Sequence, residues 1–270
     1  MHNTYANKKP SLFLLVVIFY IVTSVGALLL GLLQPSIGIP EIVIQLTQFG
    51  PAIGAAVVLF LWRHKNRSLF TLDMRLWPLP VNRIIISAAL IAFTFVGAWL
   101  WYTLTDHSVT YTPPSSLSHP FWLIVIAQFI GAAGEEIGWR CFLQPTLQQR
   151  MGVLPASIVV GILWGIWHVG VFSEGIMYAS SFILFAVSLS VILGELMRNI
   201  RGGTLLLAAA YHALINLGLL LWFNEEDGSR LAMGTLSITC TMAAIIAVVV
   251  GQIIRSKKRS TNRTYRTTHI

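Results

Sequence analysis

Eight apolar stretches, each roughly 20 residues long, divide this chain of 270 residues. A helix rises 1.5 Å per residue, so each stretch matches the roughly 30 Å hydrocarbon core of a bilayer. They run from about Ser11 to Leu33, Ile42 to Trp62, Ile84 to Thr103, Phe121 to Phe142, Ala156 to Phe172, Met177 to Met197, Thr204 to Phe223 and Leu231 to Ile254. Helices are expected in all of them, because an open strand edge in lipid leaves backbone groups unpaired. The fold expected is an all-α, polytopic membrane bundle of about eight transmembrane helices. Only 10% of the residues are charged and the mean hydropathy is +0.74. That balance excludes a water-soluble globule, a disordered chain and a nucleic-acid-binding domain, so the lipid bilayer is the first partner.

The net charge of +8 is read by position. Lys8, Lys9, Arg63, Lys65, Arg67, Arg75, Arg83, Arg150, Arg198, Arg201 and the tail from Arg255 to Arg266 share one side of an eight-span arrangement. Asp106, Glu174, Glu225, Glu226 and Asp227 fall on the other, with Arg230 as the exception. Cationic connections stay in the cytoplasm, so a multi-pass cell-membrane protein with both termini cytoplasmic is expected. The first span is too long for the apolar region of a cleaved signal peptide. The basic tail reads as a solvated anchor beside the last helix. No internal repeat is evident, and Cys141 and Cys240 lie within or at the end of apolar spans, so no disulfide framework is implied.

Function is carried by the few ionisable residues inside the spans, because burying a charge in a bilayer costs several kcal/mol. The fourth span ends GAAGEEIGWRCFLQ, with Glu135, Glu136 and Arg140; the fifth reads GILWGIWHVGVF, with His168; the seventh reads LLLAAAYHALINLG, with His212 and Asn216. Residues four apart share a helix face, so Glu136 can pair with Arg140 while Glu135, about 100° round, faces another neighbour. Depths counted along the helices are compatible with one shared cavity, expected to open to the cytoplasmic side. A carboxylate beside a histidine can deprotonate water, and a second histidine with an amide can stabilise an oxyanion. Alternatively, Glu135, His168 and His212 could be three ligands of zinc, with water in the fourth position. No H-E-x-x-H helix is present to support the familiar zinc-protease spacing. The structural alternatives are a buried ion pair for Glu136 and Arg140, and interhelical polar contacts for His212 and Asn216. Gly161 and Gly165 permit close packing near His168, and Gln45, Gln48 and Pro51 line either the cavity or a helix interface.

These three segments resemble the motifs of the CAAX protease and bacteriocin-processing family of intramembrane endopeptidases, also called the Abi family. Its pattern is E-E-x-x-x-R, then F-x-x-x-H, then H-x-x-x-N. Glu135, Glu136 and Arg140 match the first, His168 the second, and His212 and Asn216 the third. Trp164 stands where Phe is usual, Cys141 where Gly often follows the Arg, and Gly170 near where Pro often follows the His. The resemblance covers about residues 121–223 and implies a catalytic core there. Residues 1–120 then form an N-terminal three-helix region, and residues 224–270 the last helix and basic tail.

By this resemblance, Glu135 is the general base on the attacking water and His168 its partner. His212 and Asn216 hold the oxyanion, and Glu136 and Arg140 form a structural ion pair. The activity implied is hydrolysis of a peptide bond in a lipid-modified, leader-bearing or membrane-associated peptide. A glutamate-activated water without cofactor is preferred over a zinc metalloprotease, because a hydrogen-bonded Glu and His suffice. Two other classes use the same residues: a transporter or proton relay through Glu135, His168 and His212, and a non-enzymatic bacteriocin-immunity or scaffold protein.

Overall fold

A computed structural model describes residues 11–62, 70–223 and 228–267. The described chain is all-α with no strand. In order, the helices are α1 (Leu12–Ile37), α2 (Gly50–Trp62), α3 (Val81–Leu104), α4 (Phe121–Gly138), α5 (Gln144–Met151), α6 (Val153–Trp167), α7 (Ile176–Leu196), α8 (Thr204–Trp222) and α9 (Arg230–Thr267). A π-helical turn, Trp139–Leu143, joins α4 to α5 into one rod spanning Phe121–Met151.

Six of these rods are long and apolar enough to cross a bilayer. The second and fifth expected spans are shorter than the sequence suggested. Residues 42–62 divide between the 3-10 turn Leu46–Phe49 and α2, because Pro51, with no amide hydrogen, suits only the first turn of a helix. The fifth ends at Trp167, where His168 leaves helical geometry (φ −77°, ψ 67°) and a 3-10 turn, Val169–Phe172, follows. At the other extreme, α9 continues well past Ile254 to Thr267. Lys8, Lys9, Arg63, Lys65, Arg67, Glu225, Glu226 and Asp227, used in the orientation argument, lie outside the described residues.

The most buried helices are α7 and α8, whereas α1, α3 and α9 turn most of their apolar surface outward. That exposure matches lipid rather than water, since lipid tails are as apolar as the side chains facing them. Small residues set the close approaches. A β-carbon at Gly161 of α6 would lie 2.5 Å from the Cα of Val187 on α7, and one at Gly138 would lie 2.4 Å from the carbonyl oxygen of Pro51. Neither space holds a methyl group, so α6 meets α7, and α4 meets α2, backbone to backbone.

Residues 70–80 form a non-helical strap across one end of the bundle. The Asp73 amide donates to the Cys141 carbonyl inside the π turn at 2.8 Å, and the Thr204 amide donates to the Arg75 carbonyl at 2.8 Å. A π turn displaces the regular ladder, and here Gln144 bonds back to Trp139, five residues earlier. The strap thereby ties the start of α8 to the turn carrying Arg140. At the same end, Glu195 of α7 pairs with Arg198 and with Arg255 of α9 at 2.7 Å.

Candidate active site

The two adjacent glutamates of α4 serve different neighbours. Glu136 and Arg140 are wholly buried and paired at 3.3 Å between Oε2 and Nε, one helical turn apart. The second oxygen, Oε1, lies 2.9 Å from His212 Nδ1 on α8. Arg140 Nη2 donates to Ser190 Oγ on α7 at 2.9 Å, and the guanidinium lies 4.4 Å above the Trp164 ring. The ion pair is thus one part of a buried network joining α4, α6, α7 and α8, and its central anion also holds one of the motif histidines.

Glu135 faces α6 and the 3-10 turn that precedes α2. It is 2% exposed, Oε2 accepts from the Trp164 indole Nε1 at 2.7 Å, and Oε1 accepts from Gln48 Nε2 at 3.3 Å. His168 caps α6: its Nδ1 lies 2.9 Å from the Trp164 carbonyl, an acceptor left without a partner by the ending helix. A carbonyl only accepts, so Nδ1 carries a proton, and in the neutral ring Nε2 is the acceptor. Trp164, Trp167 and Phe182 surround that ring with centroids 5.0–5.5 Å away. Asn216 donates from Nδ2 to Gln128 Oε1 at 3.2 Å.

Glu135, His168, His212 and Asn216 line a single cavity of about 490 Å³. Gln45, Gln48, Gln128 and Glu174 add polar lining, while Phe182, Phe185, Leu189, Ile215 and Leu219 form an apolar wall. Glu136 and Arg140 do not line it. The exposed lining residues are Gln45, just before the 3-10 turn that precedes α2, and Gly170 and Glu174, on the connection between α6 and α7. The charge pattern leads one to expect that connection on the acidic, non-cytoplasmic face, and the depth count a cavity open to the cytoplasmic side; the two expectations differ. Because α6 ends early, its terminal His168 lies beside that connection rather than deep in a longer helix.

Among the described residues, no group of three His, Cys, Asp or Glu side chains is placed to hold a metal ion. Both oxygens of Glu135 are instead occupied by N–H donors. Cys141, buried in the π turn, also lies away from the cavity.

Two participants went unread in the sequence. Trp164 was noted only as a departure from Phe, although it lies four residues before His168 and so shares its face. Gln128 lies two helical turns before Glu135 in an otherwise apolar span, a spacing that already signals a shared polar face.

Residues 117–218 match the family described as type II CAAX prenyl endopeptidase Rce1-like. Over 247 residues, covering 90% of this chain, it is 29% identical to lysostaphin resistance protein A of Staphylococcus haemolyticus, of which 66% is covered. The protein of the same name from Staphylococcus epidermidis is 28% identical over 90% of this chain and 63% of its own length. That from Staphylococcus aureus strain RF122 is 27% identical over 91% of this chain and 59% of its own. The chain therefore spans less than two thirds of the length of these relatives. The matched region holds the motif residues Glu135, Glu136, Arg140, His168, His212 and Asn216, so it is in residues 117–218, around the cavity, that the chain is similar to the Rce1-like CAAX endopeptidases.

Proposed function

We propose that this protein is an intramembrane endopeptidase that hydrolyses a peptide bond of a lipid-modified, leader-bearing or membrane-associated peptide. The observation that carries the reading is the convergence of Glu135, His168, His212 and Asn216, from three different rods, on one buried cavity.

In this reading Glu135 accepts a proton from a water held between it and His168 Nε2. The hydroxide oxygen bonds to the scissile carbonyl carbon, and the carbonyl π electrons move to oxygen. Asn216 has a second amide hydrogen beyond the one given to Gln128, available for that oxyanion. His212 donates Nδ1–H to ionised Glu136, so donation from Nε2 requires the imidazolium form, whose charge Glu136 balances. Collapse of the tetrahedral species breaks the C–N bond, and the proton held by Glu135 passes to the leaving amine. Low dielectric within the cavity strengthens each of these contacts. The apolar wall of Phe182, Phe185, Leu189, Ile215 and Leu219 suits the hydrophobic part of such a substrate.

The test is cleavage of membrane-associated peptides by the purified full chain in proteoliposomes. Glu135→Gln and His168→Ala are each expected to lower kcat by about 100-fold or more. Wild-type rates in either variant, with unchanged thermal stability, would overturn the mechanism.

A further inference from the structure

We infer that Trp164 is a positioning residue that divides the labour of the two Glu135 oxygens: its indole N–H anchors Oε2, so that Oε1 is the oxygen presented to the water. This rests on the reading of Glu135 as the general base. The two oxygens have unequal partners. Oε2 is held at 2.7 Å by the Trp164 N–H, whereas Oε1 has only the Gln48 amide at 3.3 Å. Hydrogen bonds to a carboxylate strengthen as they shorten, and a contact near 3.3 Å is readily exchanged for one to water. Oε1 is thus the oxygen free to take a proton, and Gln48 itself lines the cavity.

Trp164 is fitted for this task because its ring cannot drift. It is 4% exposed and lies 4.4 Å beneath the Arg140 guanidinium. The His212 and His168 rings meet it edge to face at 5.2 and 5.5 Å. Its backbone carbonyl, meanwhile, accepts from His168 Nδ1 at 2.9 Å. One residue therefore holds the carboxylate with its side chain and the imidazole with its backbone, fixing their separation through its own covalent geometry. Phenylalanine could fill the ring's place but carries no donor for Oε2.

The experiment compares kcat and KM of the full chain in proteoliposomes for Trp164→Phe and for the benzothienylalanine substitution at 164, in which sulfur replaces the indole N–H at nearly constant shape. Both are expected to lose about 10- to 100-fold in kcat with KM within about threefold. Gln48→Met is expected to lose less than either. If the sulfur isostere keeps wild-type kcat, Trp164 acts by packing alone and the inference fails, whatever Trp164→Phe does to folding. A larger loss in Gln48→Met than in the isostere reverses the assignment of the oxygens and also overturns it. Glu135→Gln separates the two levels. An active Glu135→Gln removes the general-base reading and this inference with it; an inactive one beside a fully active isostere removes this inference alone.

Discussion

His212 Nδ1 on α8 lies 2.9 Å from Glu136 Oε1 on α4, so the glutamate that pairs with Arg140 also orients a cavity histidine. Its neighbour Glu135, one residue earlier, is bound instead by Trp164 and Gln48. Two successive carboxylates are thereby separated into one that carries buried charge and one that meets the cavity.

Because Arg140 and Glu136 are both fully buried, removing one partner leaves the other's charge uncompensated. Arg140→Met is expected to destabilise the protein by about 3–5 kcal/mol, and Arg140→Met with Glu136→Gln to recover part of that loss. Denaturant unfolding in detergent measures both; a double variant no more stable than the single one contradicts the pairing.

Packing at Gly138 makes a separate demand. A methyl there would collide with the backbone of Pro51, which cannot swing aside as a flexible side chain could. Gly138→Ala is expected to cost about 1–3 kcal/mol and to reduce cleavage, since pushing α2 from α4 draws Gln48 away from Glu135. Thermal unfolding and peptide cleavage on the same preparation test this, and unchanged values for both would show that α2 adjusts freely.

The strap introduces a pH dependence outside the bilayer. Hydrogen bonding from Arg75 holds the Asp73 carboxyl below its ordinary range, with the Thr204 hydroxyl assisting and partial burial opposing. A group whose folded value is depressed contributes stability above its unfolded value and loses it as pH falls through the folded one. Wild type should therefore exceed Asp73→Asn in Tm at pH 6, and the gap should narrow as acid takes the pH below the ordinary carboxylate range and through the depressed folded value of Asp73. A gap that persists in acid assigns the difference to shape rather than charge.

Metal dependence can be tested directly, since among the described residues no three His, Cys, Asp or Glu side chains are grouped to hold an ion. Peptide cleavage is expected to survive exhaustive chelation, with no stoichiometric zinc by elemental analysis. Activity lost to chelator and restored by zinc alone would reinstate the three-ligand alternative.

Topology can be read at Glu174, an exposed cavity-lining residue on the connection that charge assigns to the non-cytoplasmic face. A cysteine placed there (Glu174→Cys) is expected to react with a membrane-impermeant maleimide applied to intact cells. Reaction only in inverted vesicles would turn the bundle over and place the cavity mouth in the cytoplasm.

Apolar length alone determined the all-α membrane class and the approximate course of α1, α3, α7 and α8, because a backbone crossing hydrocarbon must satisfy its own hydrogen bonds. Helical spacing likewise made the Glu136 and Arg140 pair legible, since both partners lie on one rod. Where α2 starts and α6 stops was harder to read: Gly50, Pro51 and His168 act through local geometry that an apolar window averages away. Tertiary structure decided that Trp164 rather than His168 touches Glu135, that Glu136 reaches His212, and that Gln128 meets Asn216. Each of those contacts joins separate rods, so its distance depends on crossing angle and axial offset. Those quantities are set by side-chain volume throughout the interface, such as the space at Gly138 and Gly161, and no spacing along a single helix encodes them.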